Sequence, residues 1–335
     1  MTTVTALAPP APPAPRPIAP AMRSLWAWAR PFVGVGILAV LLWRLGTGPF
    51  LDGLRLIDGW AIVAALAIGA LTTVCSAWRW SLVAGGLGVR LRLGTAVAHC
   101  YRSVFLNATL PGGVVGDVHR AVSHGRDAGD VGRGIRAVVW ERTAGQLVQA
   151  VVALAILFAF PSPVRSYLPT ATALVVAFGV GAVALAWALP RSGLSRRAQA
   201  LRTAGADIRD GLLARRNWPG IVVASAVVVM GHLATFLVAA RTAGATAPLA
   251  RLVPLTLLAL LAMGLPANIG GFGPREGVAA WAFGAAGLTA TQGVATAVVY
   301  GALVLVSSLP GAAVLLARRF RVPAPVPPAE GAVSG

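Results

Sequence analysis

Three carboxylates stand where carboxylates are costly. Asp117, Glu141 and Glu276 lie inside or at the edge of long apolar runs, in a chain with only ten acidic residues, and each has an arginine close by: Arg120, Arg142 and Arg275. An ionised side chain at the centre of a bilayer costs at least about 2.5–3.5 kcal/mol, so such groups face a bundle interior or a wet cavity. An arginine held in such a place presents a planar fork that matches a phosphate at two points. The chemistry these residues suggest is recognition of an anionic headgroup. The same charges also suit packing pairs that neutralise one another, and the sequence leaves both readings open.

Two of the carboxylates follow a break in the chain. In N-A-T-L-P-G-G-V-V-G-D-V-H-R, Asn107 to Arg120, Pro111 has no N–H to continue a helix and Gly112, Gly113 and Gly116 permit unusual dihedrals. Backbone freed in this way is tolerated at membrane depth only where protein buries it or a cavity receives it. A similar device recurs in L-P-A-N-I-G-G-F-G-P-R-E, Leu265 to Glu276, with Pro266, Asn268, Gly270, Gly271 and Gly273. Arg275 follows Pro266 at the same distance as Arg120 follows Pro111. Paired interruptions of this kind point to a transporter-type site near the midplane, with both prolines close to one cavity. A third stretch, V-V-W-E-R-T-A-G-Q-L-V-Q, puts Glu141, Gly145 and Gln149 on one helical face that would close this cavity.

The elements that position these residues must be membrane helices. The chain has 335 residues, 57% of them hydrophobic and 11% charged, and a mean hydropathy of +0.77, outside the range of soluble domains. A hydrocarbon core of about 30 Å needs roughly 20 apolar residues per helix. Runs at 28–44, 60–84, 137–160, 170–190, 219–240, 249–266, 276–289 and 291–317 meet or approach that, while 95–117 reads as a segment that dips in and returns. The expected fold is all-α and polytopic, with about eight transmembrane helices and re-entrant segments broken by Pro and Gly. Residues 25–320 form the membrane domain between Pro-rich tails at 1–24 and 321–335, which read as disordered.

Charge sets the expected orientation. The formal net charge is +18. The arginines cluster at 16–30, 79–92, 120–136, 191–216 and 318–321, all on one side of an eight-crossing topology, so both termini are expected in the cytoplasm and the protein in the cytoplasmic (inner) membrane. The connection 191–217 spaces Leu194, Leu201 and Ile208 by sevens among arginines, the pattern either of an interfacial helix on anionic lipid or of an ordinary basic loop. No basic stripe with interleaved aromatics stands outside the apolar runs, so nucleic acid is not expected as a partner. Cys75 and Cys100 lack the number and spacing for a disulfide framework or a metal site. The run D-G-L-L-A-R at 210–215 opens like the signature of the CDP-alcohol phosphotransferases, but Ala224, Val228 and His232 stand where that signature needs Gly and two Asp. No nucleophile set, metal set or nucleotide-binding loop is evident, so neither enzymatic activity nor a cofactor is expected.

N-x-x-L-P-G-G-x-x-G-D-x-x-R, then E-R-x-x-G, then P-x-N-I-G-G-F-G-x-R-E-G, together with S-A-W-R-W at 76–80, make the chain resemble the transmembrane region of the lysylphosphatidylglycerol synthase and flippase family. The resemblance covers the chain between its tails. It implies a bundle with re-entrant segments that translocates or handles a phospholipid or a lipid-linked intermediate such as a lipid-linked glycan. It also implies that Asp117, Arg120, Glu141, Arg142, Arg275 and Glu276 line the lipid path. In the full-length synthases a soluble aminoacyltransferase domain follows the bundle, and the short stretch after the last apolar run here leads us to expect none. The alternative is a non-catalytic membrane partner or scaffold for a separately encoded lipid or glycan transferase. Whether the chain forms a homo-oligomer is also left open.

Overall fold

The computed structural model describes residues 39, 42–43, 46–110, 113–188, 196–264 and 273–319. Both tails and nearly all of the apolar run at 28–44 lie outside them. Among the described residues all regular structure is helical. The helices are α1 Gly48–Arg55, α2 Gly59–Gly86, α3 Leu93–Thr109, α4 Val115–Asp127, α5 Val131–Ala159, α6 Leu168–Ala188, α7 Arg196–Ala206, α8 Trp218–Thr242, α9 Leu249–Ala262, α10 Pro274–Ala285 and α11 Ala290–Arg319. A 3₁₀ turn at Arg165–Tyr167 precedes α6, and a π-helical stretch at Asp207–Leu212 continues α7.

Local chemistry sets the ends of these helices. Asp58 and Asp130 are N-caps, accepting from the backbone N–H of Ala61 and of Arg133, both at 2.8 Å. Pro219 and Pro274 stand at the starts of α8 and α10, where a missing N–H costs nothing. Leu110 ends α3 in extended backbone, as the residue before a proline must. The helices α2, α5, α8 and α11 are long and apolar enough to cross a membrane, and α6, at 21 residues, is about 31 Å long.

The core lies where α2, α8 and α11 meet α9 and α10, around Phe236, Leu257, Tyr300 and Leu303. Phe236 stacks on Tyr300 with ring centroids 4.5 Å apart. Small residues let the backbones approach: Gly311 of α11 lies on the Tyr101 backbone of α3, and Gly231 of α8 lies against Thr72 of α2.

Three expectations change here. The segment at 95–117 is a helical hairpin that extends further than expected, with α3 as one limb and α4, running to Asp127, as the other. The runs at 249–266 and 276–289 correspond to α9, with 14 residues, and α10, with 12. At about 21 and 18 Å each covers only part of the hydrocarbon thickness. Arg79, counted above among loop arginines, is inside α2 and 4% exposed, because α2 continues for two turns past it.

Candidate functional site

The site begins with the α3–α4 hairpin. Asn107, in the last turn of α3, accepts from the Gly116 N–H through Oδ1 (2.8 Å) and donates from Nδ2 to Asp117 Oδ2 (3.1 Å). Ser103 Oγ donates to Asp117 Oδ1 at 3.0 Å. Gly116 permits this closeness, since a Cβ there would lie 2.6 Å from the Ser103 Cα. Asp117 is thereby fixed in the first turn of α4, where unpaired backbone N–H groups favour a carboxylate.

From Asp117 an alternating chain of charges crosses three helices. Its Oδ1 accepts from Arg120 Nε (2.9 Å) and from Arg142 Nη2 (2.7 Å). Arg120 Nη2 donates to Glu141 Oε2 at 2.5 Å, and its guanidinium lies 4.8 Å from the centre of the Trp80 ring. Glu141 Oε1 accepts from Arg79 Nε (2.8 Å) and also from Arg79 Nη2. Arg79 Nη1 donates to Ser225 Oγ of α8 at 3.1 Å. Gly145 leaves the socket for Arg79, because a Cβ there would meet Nη1 at 2.9 Å.

The network holds three guanidinium groups, Arg79, Arg120 and Arg142, against two carboxylates, Asp117 and Glu141, so three positive and two negative charges leave a net +1. The side chains of Arg79, Arg120 and Glu141 are 5%, 3% and 1% exposed, and that of Arg142 is 45% exposed. Arg142 spends Nη2 on Asp117, and its other donors have no partner among the described residues. The sequence offered Arg120, Arg142 and Arg275 alike as arginines that could reach a ligand. Arg120 is enclosed by Asp117, Glu141, Trp80 and Cys100, and the accessible fork is Arg142. Glu141, next to Arg142 in sequence, pairs with Arg79 and Arg120.

Arg142 stands where three spaces meet. A cavity of about 170 Å³ is lined by Arg79, Arg142, Gln146, Gln149, His232 and Tyr300, with Gly145, Leu260 and Gly264 among its other walls. A groove of about 550 Å³ runs from Arg142 between α4 and α5, past Val139, Val138 and Ile135, and takes in Gly113, Met263 and Gly264. A second groove, of about 830 Å³, runs the other way along α5 past Leu147 and Ala150, against Leu174 and Phe178 of α6. Arg142, Thr143 and Gln146 belong to both grooves. Together they form a furrow along α5 from Ile135 to Ala150, about 22 Å long with Arg142 near its middle.

The expected face of Glu141, Gly145 and Gln149 divides between two tasks. Glu141 is buried in the network, while Gly145 and Gln149 wall the cavity, Gln149 Nε2 donating to the Leu260 carbonyl at 3.2 Å. Pro111, Gly112, Pro266, Asn268, Gly270 and Gly271 lie outside the described residues. Residues flanking the two breaks, Gly113 (φ +62°) and Gly264, both line the first groove. Arg275 and Glu276 stand apart from that groove. Glu276 Oε2 accepts from the Gly273 N–H at 2.6 Å, capping α10, and its Oε1 accepts from Arg275 Nε at 2.9 Å. The Arg275 guanidinium lies 5.1 Å from the centre of the Tyr300 ring, so this pair touches the cavity wall through an aromatic ring. Tyr300 in turn meets His232 Nδ1 at 2.9 Å.

Arg79, Ser103, Gln146, His232 and Tyr300 were not among the expected site residues. For Arg79 the signal was present: a lone arginine inside S-A-W-R-W in an apolar run. For the other four the sequence carries no comparable mark.

Neither a curated protein nor a solved structure matches the chain. Residues 28–311 do match one family, described as the lysylphosphatidylglycerol synthase TM region, and the match takes in the hairpin, the charge network and the α9 and α10 half-length helices. The chain therefore belongs to the lysylphosphatidylglycerol synthase TM region family of membrane proteins.

Proposed function

We propose that the protein moves the headgroup of a phosphate-bearing lipid between leaflets past Arg142, while the acyl chains stay in the apolar grooves along α5. One observation carries this reading: a network of net charge +1 whose only partly exposed guanidinium faces both a polar cavity and a groove with apolar walls. Unbalanced charge in a low-dielectric setting is costly, and an anion arriving at Arg142 balances it. A phosphate fits this role because the free edge of a guanidinium offers it two parallel hydrogen bonds. The furrow gives the acyl chains apolar walls on either side of Arg142, so only the headgroup has to leave water. We place the protein in the cytoplasmic membrane as a transporter rather than an enzyme.

The test is lipid movement in vesicles containing the purified protein and a phospholipid labelled on its acyl chain, read by chemical quenching of the outer leaflet. Wild type is expected to expose inner-leaflet label faster than protein-free vesicles. Arg142→Gln should fall to the protein-free rate. Arg142→Lys, which keeps the charge and loses the fork, should lie between them. Wild-type movement in a folded Arg142→Gln variant would overturn the reading. No movement by the wild type would favour a scaffold in which the network only holds helices together.

A further inference from the structure

We infer that the lipid handled at this site is anionic, with a hydroxyl-bearing headgroup that carries no ammonium: a phosphodiester capped by a polyol. The inference rests on the proposed function and concerns which headgroup the cavity accepts. Among the described residues the cavity wall contains two guanidinium groups, Arg79 and Arg142, and no carboxylate. Two carboxylates stand behind this wall and both are taken: Asp117, on the adjoining groove, accepts from Arg120, Arg142, Ser103 and Asn107, and Glu141 accepts from Arg79 and Arg120. An ammonium entering with a phosphate would sit beside Arg142 with no counter-charge to receive it. Like charges repel steeply in a site of low dielectric constant.

The rest of the polar wall has the chemistry of hydroxyl recognition. Gln146 makes no hydrogen bond to the described residues and faces the cavity and both grooves, so its amide is available to donate and to accept. Gln149 uses an N–H on Leu260 and keeps its carbonyl oxygen for a ligand. His232 and Tyr300 add an imidazole and a phenol, paired with each other at 2.9 Å. Amide, imidazole and phenol groups beside a guanidinium suit a phosphate with glycerol, inositol or a sugar beyond it. They suit an aminoacyl or ethanolamine headgroup poorly, because its ammonium would stand beside two guanidinium groups with no carboxylate on the wall to offset them.

The experiment compares four acyl- or prenyl-labelled lipids in the same vesicles: phosphatidylglycerol, phosphatidylethanolamine, lysyl-phosphatidylglycerol and an isoprenyl phosphosugar. Phosphatidylglycerol should move about tenfold faster than either aminated lipid. Faster movement of the isoprenyl phosphosugar, with both aminated lipids still slow, supports the same headgroup chemistry on a different tail. Equal rates for all four, or faster movement of an aminated lipid, would overturn the inference and leave the proposed function standing. No protein-dependent movement of any lipid would remove both. A second variant gives the inference an independent readout: Gln146→Glu places a carboxylate on the half-open wall. It should shift the ratio of lysyl-phosphatidylglycerol to phosphatidylglycerol movement upward by about tenfold. An unchanged ratio in that folded variant would count against it.

Discussion

Removing the central carboxylate and removing the accessible arginine should differ in their effect on stability, and the difference follows from burial. Glu141 is 1% exposed and accepts from both Arg79 and Arg120. In Glu141→Gln three guanidinium groups share one carboxylate, so the network's net charge rises from +1 to +2 in a setting with little water. Breaking a buried ion pair by deleting one partner costs about 3–5 kcal/mol in soluble cores. At about 2 °C per kcal/mol for a large domain, the unfolding midpoint should fall by roughly 6–10 °C. Arg142→Gln brings the network to neutrality instead. Its side chain is 45% exposed and makes one hydrogen bond to Asp117, so the loss should be about 0–1 kcal/mol, within the range of exposed pairs. The assay is thermal unfolding in detergent together with lipid movement in vesicles. Glu141→Gln should lose stability and transport together, and Arg142→Gln should lose transport alone. A Glu141→Gln variant as stable as wild type, or an Arg142→Gln variant as unstable as Glu141→Gln, would refute this account of the network.

Gly116→Ala drives a Cβ into the Ser103 backbone, which has no rotamer to give, so it should cost about 1–3 kcal/mol and lower the yield of folded protein; an unfolding curve checks this. Tyr300→Phe removes the hydroxyl paired with His232 while keeping the ring on Phe236 and Arg275. It should cost about 1 kcal/mol and slow phosphatidylglycerol more than it slows a lipid without headgroup hydroxyls, a split visible in paired transport rates. A single cysteine at the exposed position Leu201, in a chain lacking Cys75 and Cys100, should react with a membrane-impermeant reagent only after the cells are opened, because the basic 191–217 connection is expected on the cytoplasmic side.

The parts of the site legible in the sequence are those with a local cause. Pro111 and its glycines announce the hairpin, and the i, i+4 spacing of Glu141 and Gly145 announces a shared face. A carboxylate in an apolar run announces a charge that needs a partner. Which partner it finds depends on packing between distant segments. Glu141 meets Arg79 because α2 and α5 cross beside it, and Gly145 is small where Arg79 must fit. Neighbouring residues on a helix point in different directions, and for this reason Glu141 pairs with Arg79 and Arg120 in the interior while Arg142, adjacent in sequence, reaches Asp117 and the open furrow. The apolar run at 249–266 hides the end of α9 at Ala262, since its last residues are as apolar as the helix before them. Gln146, His232 and Tyr300 become a polar wall only when α5, α8 and α11 come together. None of them has a spacing that marks it in one dimension.

The central claim is that an anion completes the network at Arg142. Imaging the protein at high resolution in a bilayer disc that contains phosphatidylglycerol tests it most directly. We predict a phosphate within about 3 Å of the Arg142 guanidinium, its headgroup toward Gln146 and Tyr300 and its acyl chains along α5. An Arg142 turned wholly onto Asp117 or other side chains, with lipid phosphates only at the two membrane surfaces, would contradict the claim.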